Sequence, residues 1–511
     1  MLLRGKITLA VVSAALIVGG IFSAKKYIIP EGEKAQDISG LMSAGSAKPG
    51  QTPTNKCIEI GVNTWGGFVG GQYWNGGFKD NAASKFREDG ICVNFHKMDD
   101  FAASRAAFQS GQMDLMWVTV DAFPTESGNY GENVKFLWQI DWSRGGDAVV
   151  TKGNIKSVGD LAGKTIALAE GTPSHTLFLW LLDLASLSPL DVNLVKVANG
   201  IDAAAAFKAG KVDAAVVWSP DDQDCIQAVA GSKVLINTKQ ASNIIADGFM
   251  VKESVLNKRR DELTKLVRGW LKGSAEINSN SAAKSKGAKI IAEGYGVDEA
   301  FAMTAINNTR LTTYGDNLDF FGVTPGFSGV TAKDLYEKMT IVYGKLNLAK
   351  NSLPYTKIAD IDFIKGLNMQ SETGMAAEKV VAFKAPTTAD VQAPVVASKP
   401  VRVSFETNSS VLDENAKSII DMSFADQVKA FPTSRIRIEG NTDNTGSASV
   451  NRPISRARAQ AVVEYLVTTH KMDRNRFVTV GNGSDKPLCN DDTEICRSKN
   501  RRTDFQILEI K

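Results

Sequence analysis

Apolar and polar positions sort the chain into stretches of different period. Short β-branched or apolar runs at 58–62, 115–120, 165–169, 214–218 and 248–251 predict strands. Between them, the pattern at 102–110, 173–184, 201–209 and 260–277 predicts helices. Strands alternating with helices predict largely parallel α/β sheets, which bind ligands at the carboxyl ends of strands. The length of this part suits two lobes around a cleft, with 146–150 as one crossing and 247–251 as the return. The tail reads differently. VRVSF at 401–405 and RIRIEG at 435–440 alternate as strands do, and 413–431 between them reads as a helix. No internal repeat is present.

Residues 7–24 (ITLAVVSAALIVGGIFSA) are uncharged and apolar, with Arg4 and Lys6 before them and Lys25 and Lys26 after. As a helix they span about 27 Å, just enough for a hydrocarbon core. An uncleaved anchor is the expectation, and a cleaved signal peptide the alternative. Both put the rest of the chain across an inner membrane. No lipobox cysteine follows the run. Residues 30–56 and 384–400 are polar and rich in Gly, Ser, Ala or Pro, and read as flexible spacers. The expected organisation is therefore a membrane or signal segment at 1–29, a linker at 30–56, a two-lobe module at 57–383, a linker at 384–400 and a last domain at 401–511.

A chain of 511 residues is long enough for several domains. Hydrophobic residues at 43% and charged residues at 23% are normal for folded protein and exclude a multi-span membrane protein. Lys+Arg of 59 against Asp+Glu of 56 argues against binding nucleic acid by bulk charge. No HExxH, CxxC or GxxxxGK[ST] string occurs, so no metal or cofactor is expected. Cys489 and Cys496 flank a polar loop that could close a disulfide, which suits an oxidising compartment. Cys57 and Cys92 open two predicted strands and read equally well as a bridge or as buried thiols. Cys225 reads as a small core residue.

IGVNTWGGFVGG at 60–71, FAASRAAFQSGQMDLMWVTVDAF at 101–123, VGDLAGKTIALAEGTPSHTLFLWLL at 158–182 and AAAAFKAGKVDAAVVWSPD at 203–221 carry a resemblance. They resemble periplasmic solute-binding proteins of the nitrate, sulfonate, taurine and thiamine-precursor group (type II). The resemblance covers about 57–370 and implies a small-molecule site between two lobes. Trp65, Thr119, Asp141, Thr172, Ser174, Trp218 and Ser219 are the candidate solute contacts, because they stand at predicted strand ends or at a helix start. Asp121 could instead cap a helix. Pro173 suits a first helical position, so 171–175 offers N–H groups and hydroxyls to an oxyanion. The tryptophans suit a flat or cationic group. An anionic or zwitterionic solute is the expectation, and its identity stays open. Some relatives of this fold are pyrimidine synthases with a reactive histidine and a cysteine cluster. Here the middle holds only His96 and His175 and no such cluster, so no enzyme is expected.

The tail carries the sharpest motif: Thr442-Asp443-Asn444-Thr445-Gly446, Asn451, Ile454-Ser455-Arg456-Ala457-Arg458-Ala459, Gly481-Asn482-Gly483 with Pro487, and Asn500-Arg501-Arg502. It resembles the OmpA-like peptidoglycan-binding domain, an α+β fold. Asn441 departs from the aromatic or histidine that the family usually carries before the Thr-Asp pair. The resemblance implies that Asp443 and Arg458 grip the zwitterionic end of a diaminopimelate stem peptide. Asn451, Thr442 and Asn444 would add neutral hydrogen bonds, and Pro453 would lie in the first turn of the helix bearing Arg458. Arg501 and Arg502 are expected to support the loop or reach solvent.

The expectation for the whole chain is a periplasmic envelope protein held by membrane and wall. It would act as a transport-linked or sensing receptor, with an ABC permease as partner and no nucleic acid. The alternative is a structural protein with a degenerate cleft. Flagellar stator subunits also combine a membrane helix with such a tail, but they need a membrane carboxylate, and 7–24 has none.

Overall fold

The computed structural model describes residues 56–379, 382–406 and 408–508. The expected anchor at 7–24 and nearly all of the 30–56 spacer lie outside the described residues. Among those described, no helix is long and apolar enough to cross a membrane.

The middle begins with β1 (Ile58–Val62), β2 (Val93–Lys97), β3 (Leu115–Thr119) and β4 (Val134–Ser143). The chain then crosses to β5 (Asp147–Thr151), β6 (Thr165–Ala169), β7 (Asn193–Val197), β8 (Ala214–Trp218) and β9 (Lys233–Asn237). It returns as β10 (Ala246–Lys252) and adds β11 (Thr309–Leu311). Two sheets result, of order β11-β4-β10-β3-β1-β2 and β7-β6-β8-β5-β9. This is a mixed α/β architecture with two lobes joined at 144–146 and 238–245.

The expectation of largely parallel sheets needs correction. β1 pairs in parallel with β2 and β3, but β10 is antiparallel to both β3 and β4, and β5 to both β8 and β9. The reason is the crossing. A strand arriving from the other lobe has no helix to turn it round, so it enters the sheet against its neighbours' direction.

Local pattern explains the elements. Every residue of β3 to β5 is buried because both sheet faces are covered, and the apolar run at 115–118 of β3 shows it most plainly. The helix Pro173–Leu184 starts at Pro173 and is buried almost throughout, as its nearly unbroken apolar run requires. Phe68, Phe95, Trp138, Phe249 and Trp270 fill the core of the first lobe. Disulfides join Cys57 to Cys92 and Cys489 to Cys496, and Cys225 is a buried thiol. The first pairing, left open by the sequence, follows from register: the two cysteines immediately precede the paired residues Ile58 and Val93.

The last sheet comprises β12 (Val395–Val401), β13 (Ile436–Asn441), β14 (Phe477–Gly483) and β15 (Arg502–Leu508), in the order β12-β15-β13-β14. Two expectations are corrected here. The strand expected at 401–405 lies at Val395–Val401, inside the presumed flexible spacer, and Thr388–Val391 before it is a capped helical turn. Pro400 is tolerated because β12 is an edge strand, where a missing N–H need not leave a ladder bond unmade. The segment is therefore ordered chain. Lys399 on β12 pairs with Asp183 at 2.9 Å, Asn243 N–H donates to Ala430 O at 3.1 Å, and Thr433 Oγ1 donates to Lys239 O at 3.3 Å. The last sheet's domain thus rests on the second lobe and on the return crossing.

Candidate functional site: a basic cleft in the tail and an acidic row between the lobes

In the tail, β13 runs into the 442–447 loop and then into the helix Ala448–His470. That helix starts five residues before the expected Pro453, which sits inside it. Ser447 stands at its N-cap. The helix lies close on the sheet at a glycine: a Cβ on Gly440 would strike the Ser455 carbonyl. Gly483, at φ +57°, turns the chain where β14 ends.

Asp443 is buried in the loop. Its Oδ1 accepts from Thr445 N at 3.1 Å and Thr445 Oγ1 at 2.5 Å, and its Oδ2 accepts from Arg501 Nη1 at 2.6 Å. Burial works to raise the carboxyl's pKa, but the bonds from Thr445 and Arg501 outweigh it, and the group is held below its ordinary value. Arg458 does not touch Asp443. Its Nε donates to Ser409 O at 3.0 Å, its Nη2 donates to Glu406 O at 3.2 Å, and its guanidinium lies 4.9 Å from the Phe405 ring centre. Burial lowers the Arg458 pKa, Asp443 opposes this, and Arg501 adds repulsion. Both charges therefore feel one electrostatic neighbourhood.

The space beside them is a cleft of about 170 Å³ lined by Arg402, Phe405, Asn441, Arg458, Arg501 and Arg502, among others. Several guanidinium groups make it strongly basic. Arg501 supports the loop as expected and also lines the cleft. Arg502 is buried and donates from Nε to Asp504 Oδ1 at 2.9 Å. Asn451 serves the loop rather than presenting a free amide: its Nδ2 donates to Asp443 O at 3.3 Å and Gly446 O at 3.0 Å. Thr442 Oγ1 donates to Asp443 O at 2.9 Å. Asn444 is exposed, with Nδ2 3.4 Å from Asp492 Oδ1. Asn441, the departure from the family pattern, is buried between Asp504 and Asn482, with contacts of 3.0 Å to each. Sequence reasoning missed the direct Asp443–Arg501 pair. The Asn-Arg-Arg string was its only signal.

Between the lobes, register sets a row across three strands. Thr119 on β3 faces Asp247 on β10, and Asp247 faces Asp141 on β4. Directly paired residues project from the same sheet face, so these three side chains are neighbours. Asp121 follows β3 and its Oδ1 accepts from Ala246 N at 3.3 Å. Asp147 opens β5 and accepts from Ser143 Oγ at 2.8 Å. All four carboxyls are buried. Burial pushes Asp121, Asp141 and Asp147 up to about 7. Asp247 is raised well above the carboxylate range by burial and then by Asp141, Asp147 and Asp121.

The sequence-derived candidates fall around this row. Trp65 is half-buried, and its Nε1 donates to Asp141 Oδ2 at 3.2 Å. Trp218 donates from Nε1 to Ser174 Oγ at 3.0 Å, and its ring lies 6.3 Å from that of Phe101 in the other lobe. Ser219 Oγ accepts from Asn308 Nδ2 at 2.8 Å. Thr172 donates its hydroxyl to Ala169 O at 2.8 Å, so it does not present that hydrogen to an oxyanion. Asp121 lies beside Thr176 of the same first turn and adds an acidic neighbour there. Two like charges 4 Å apart repel by about 4 kcal/mol at an effective dielectric of 20. A carboxylate in this row thus works against a purely anionic solute, one of the charges the sequence left open. Among the described residues, no group of three or more His, Cys, Asp or Glu side chains has metal-holding geometry.

Comparison with known proteins follows the same division. Residues 84–283 match the family described as NMT1/THI5 like, and residues 404–501 match the OmpA family. The chain thus carries an NMT1/THI5-like domain and a C-terminal OmpA domain. Outer membrane protein Omp38 of Acinetobacter baumannii is 37% identical over 102 residues, covering 20% of this chain and 28% of that protein. Peptidoglycan-binding protein ArfA of Mycobacterium tuberculosis is 42% identical over 83 residues, covering 16% of this chain and 25% of that protein. The chain therefore spans 28% and 25% of the length of these two relatives. Among solved structures, the periplasmic aliphatic sulphonate binding protein SsuA from Escherichia coli aligns with a TM-score of 0.48 at 17% identity, covering 61% of this chain and 100% of that one.

Proposed function

We propose that this chain is a bacterial cell-envelope protein that grips peptidoglycan through its OmpA domain and binds a small solute between its two lobes. The domain limits that go with this reading are an anchor or signal at 1–29, a linker at 30–56, a solute module at 57–383 and a wall-binding domain that includes β12. The observation that carries the proposal is the basic cleft lined by Arg458 and Arg501, with Asp443 bonded to Arg501. A diaminopimelate end offers one ammonium and one carboxylate. Asp443, held ionised, suits the ammonium, and the Arg458 fork suits the carboxylate. The named activity of ArfA supports the same reading.

The test is cosedimentation of the full chain with purified sacculi. Asp443→Ala and Arg458→Ala each abolish pelleting while circular dichroism stays native. Removing one member of a partly desolvated charged contact costs about 2–5 kcal/mol, so the loss is plain. Continued pelleting of both variants refutes the assignment.

For the middle, a transport-linked or sensing receptor with an inner-membrane permease as partner is the working role. A structural envelope protein is the second reading, and the contact of Phe101 with Trp218 across the lobes favours it. A thermal-shift screen separates the two: a stabilising solute supports the receptor, and silence across all solute classes supports the structural role.

A further inference from the structure

The acidic row between the lobes has more acceptors than partners. Asp121 Oδ2, Asp141 Oδ1, Asp147 Oδ1 and Asp247 Oδ2 are out of solvent and accept no hydrogen bond from the described residues. Asp141 and Asp247 lie close enough to share a proton, which relieves part of this deficit in the empty protein. A second observation comes from a hydroxyl rather than a carboxyl. Thr119 Oγ1, on a side chain 2% exposed, also has no partner, and β-register puts it beside Asp247 on the same face. Among the described residues, no Lys, Arg or His forms an ion pair with any of the four aspartates.

Buried acceptors of this kind are costly unless something supplies hydrogens and positive charge. The four carboxyls come from both sides of the crossing, with Asp147 on the second sheet and the others on or beside the first. A ligand that bonds Asp147 together with a carboxyl of the first sheet would hold the lobes together. Trp65, already tied to Asp141, adds an aromatic ring beside the same point, and such rings attract cations. A bare metal ion is disfavoured, because the carboxyls lack metal-holding geometry among the described residues.

We infer that the interlobe site takes a protonated aliphatic amine, its three N–H groups donated to unpartnered oxygens drawn from Asp121, Asp141, Asp147, Asp247 and the Thr119 hydroxyl. This rests on the solute-binding reading above and deepens it by choosing a cationic amine over an anionic or zwitterionic solute.

The test is calorimetry and thermal shift on the full chain at pH 7.5. The probes are 1,4-diaminobutane and propylamine, with propanesulfonate, nitrate and calcium alone for comparison. The amines raise the melting temperature of the wild type. Asp141→Asn, Asp247→Asn and the near-isosteric Thr119→Val each weaken amine binding by about tenfold or more, that is by about 1.4 kcal/mol or more. Thr119→Val keeps the test alive should an Asn variant fail to fold. Binding of propanesulfonate or nitrate without amine binding overturns the inference and leaves the solute-binding reading standing. Binding of calcium alone, or amine binding unchanged in all three variants, also overturns it. Silence toward every probe overturns the inference, and the wider thermal-shift screen above then decides the solute-binding reading.

Discussion

Asp443 and Arg501 stand 58 positions apart and meet at 2.6 Å, Oδ2 to Nη1. Arg501 also contacts Glu494, so the guanidinium bridges the 442–447 loop to the helix Glu494–Asn500. It lines the cleft on which Arg458 also opens. One arginine thus holds the loop acid and adds positive charge to the cleft.

Removing it should therefore loosen Asp443 as well as subtract a charge. Arg501→Ala is expected to weaken sacculus binding by about tenfold or more. Arg501→Lys should recover only part, because an ammonium lacks the fork that spans Asp443 and Glu494. Cosedimentation against a titration of sacculi measures both.

The buried aspartates predict an inverted pH dependence for the middle. Asp147 has a folded pKa of about 7, above its unfolded value, so the folded state holds its proton more tightly. Its contribution is fully present below the unfolded pKa and is lost as pH rises through about 7. Asp147→Asn should raise the melting temperature at pH 8, by up to about 4 kcal/mol of stability, and the gain should shrink toward pH 4. Thermal unfolding across that range checks it.

Asp443 has the opposite sign. Its folded pKa lies below the ordinary value, so its stabilisation is present at neutral pH and lost as pH falls through that lowered value. Sacculus binding should fall with the same protonation. A wild-type profile that already loses binding above the ordinary carboxyl value of 3.8 would contradict it.

Gly440 packs its backbone against Ser455 O. Gly440→Ala should cost about 1–3 kcal/mol, because the helix bearing Arg458 would have to lift from β13. Chemical denaturation gives the cost, and a parallel loss of sacculus binding would show that helix seating positions the arginine.

The Cys57–Cys92 bridge closes a loop of 35 residues at the start of the first sheet. On the loop-entropy model its loss costs about 3–4 kcal/mol. A Cys57→Ser, Cys92→Ser double variant should therefore melt earlier than wild type, measured without reductant.

Much of this molecule was legible in the chain alone. Ile58–Val62, Thr165–Ala169, Ala214–Trp218 and Pro173–Leu184 fall where periodicity and Pro173 put them, because strand and helix periods are local properties. The OmpA motif was legible for a related reason: its loop and helix residues are close in sequence. Tertiary structure decided the rest. Only strand pairing sets Thr119, Asp247 and Asp141 in one row, and only the fold brings Arg501 to Asp443. Residues 395–400 look like a spacer until β15 lends them a hydrogen-bonding edge. Pattern reports what a segment buries. Register and long-range packing decide which charges share a space, and those contacts leave no periodic trace in the sequence.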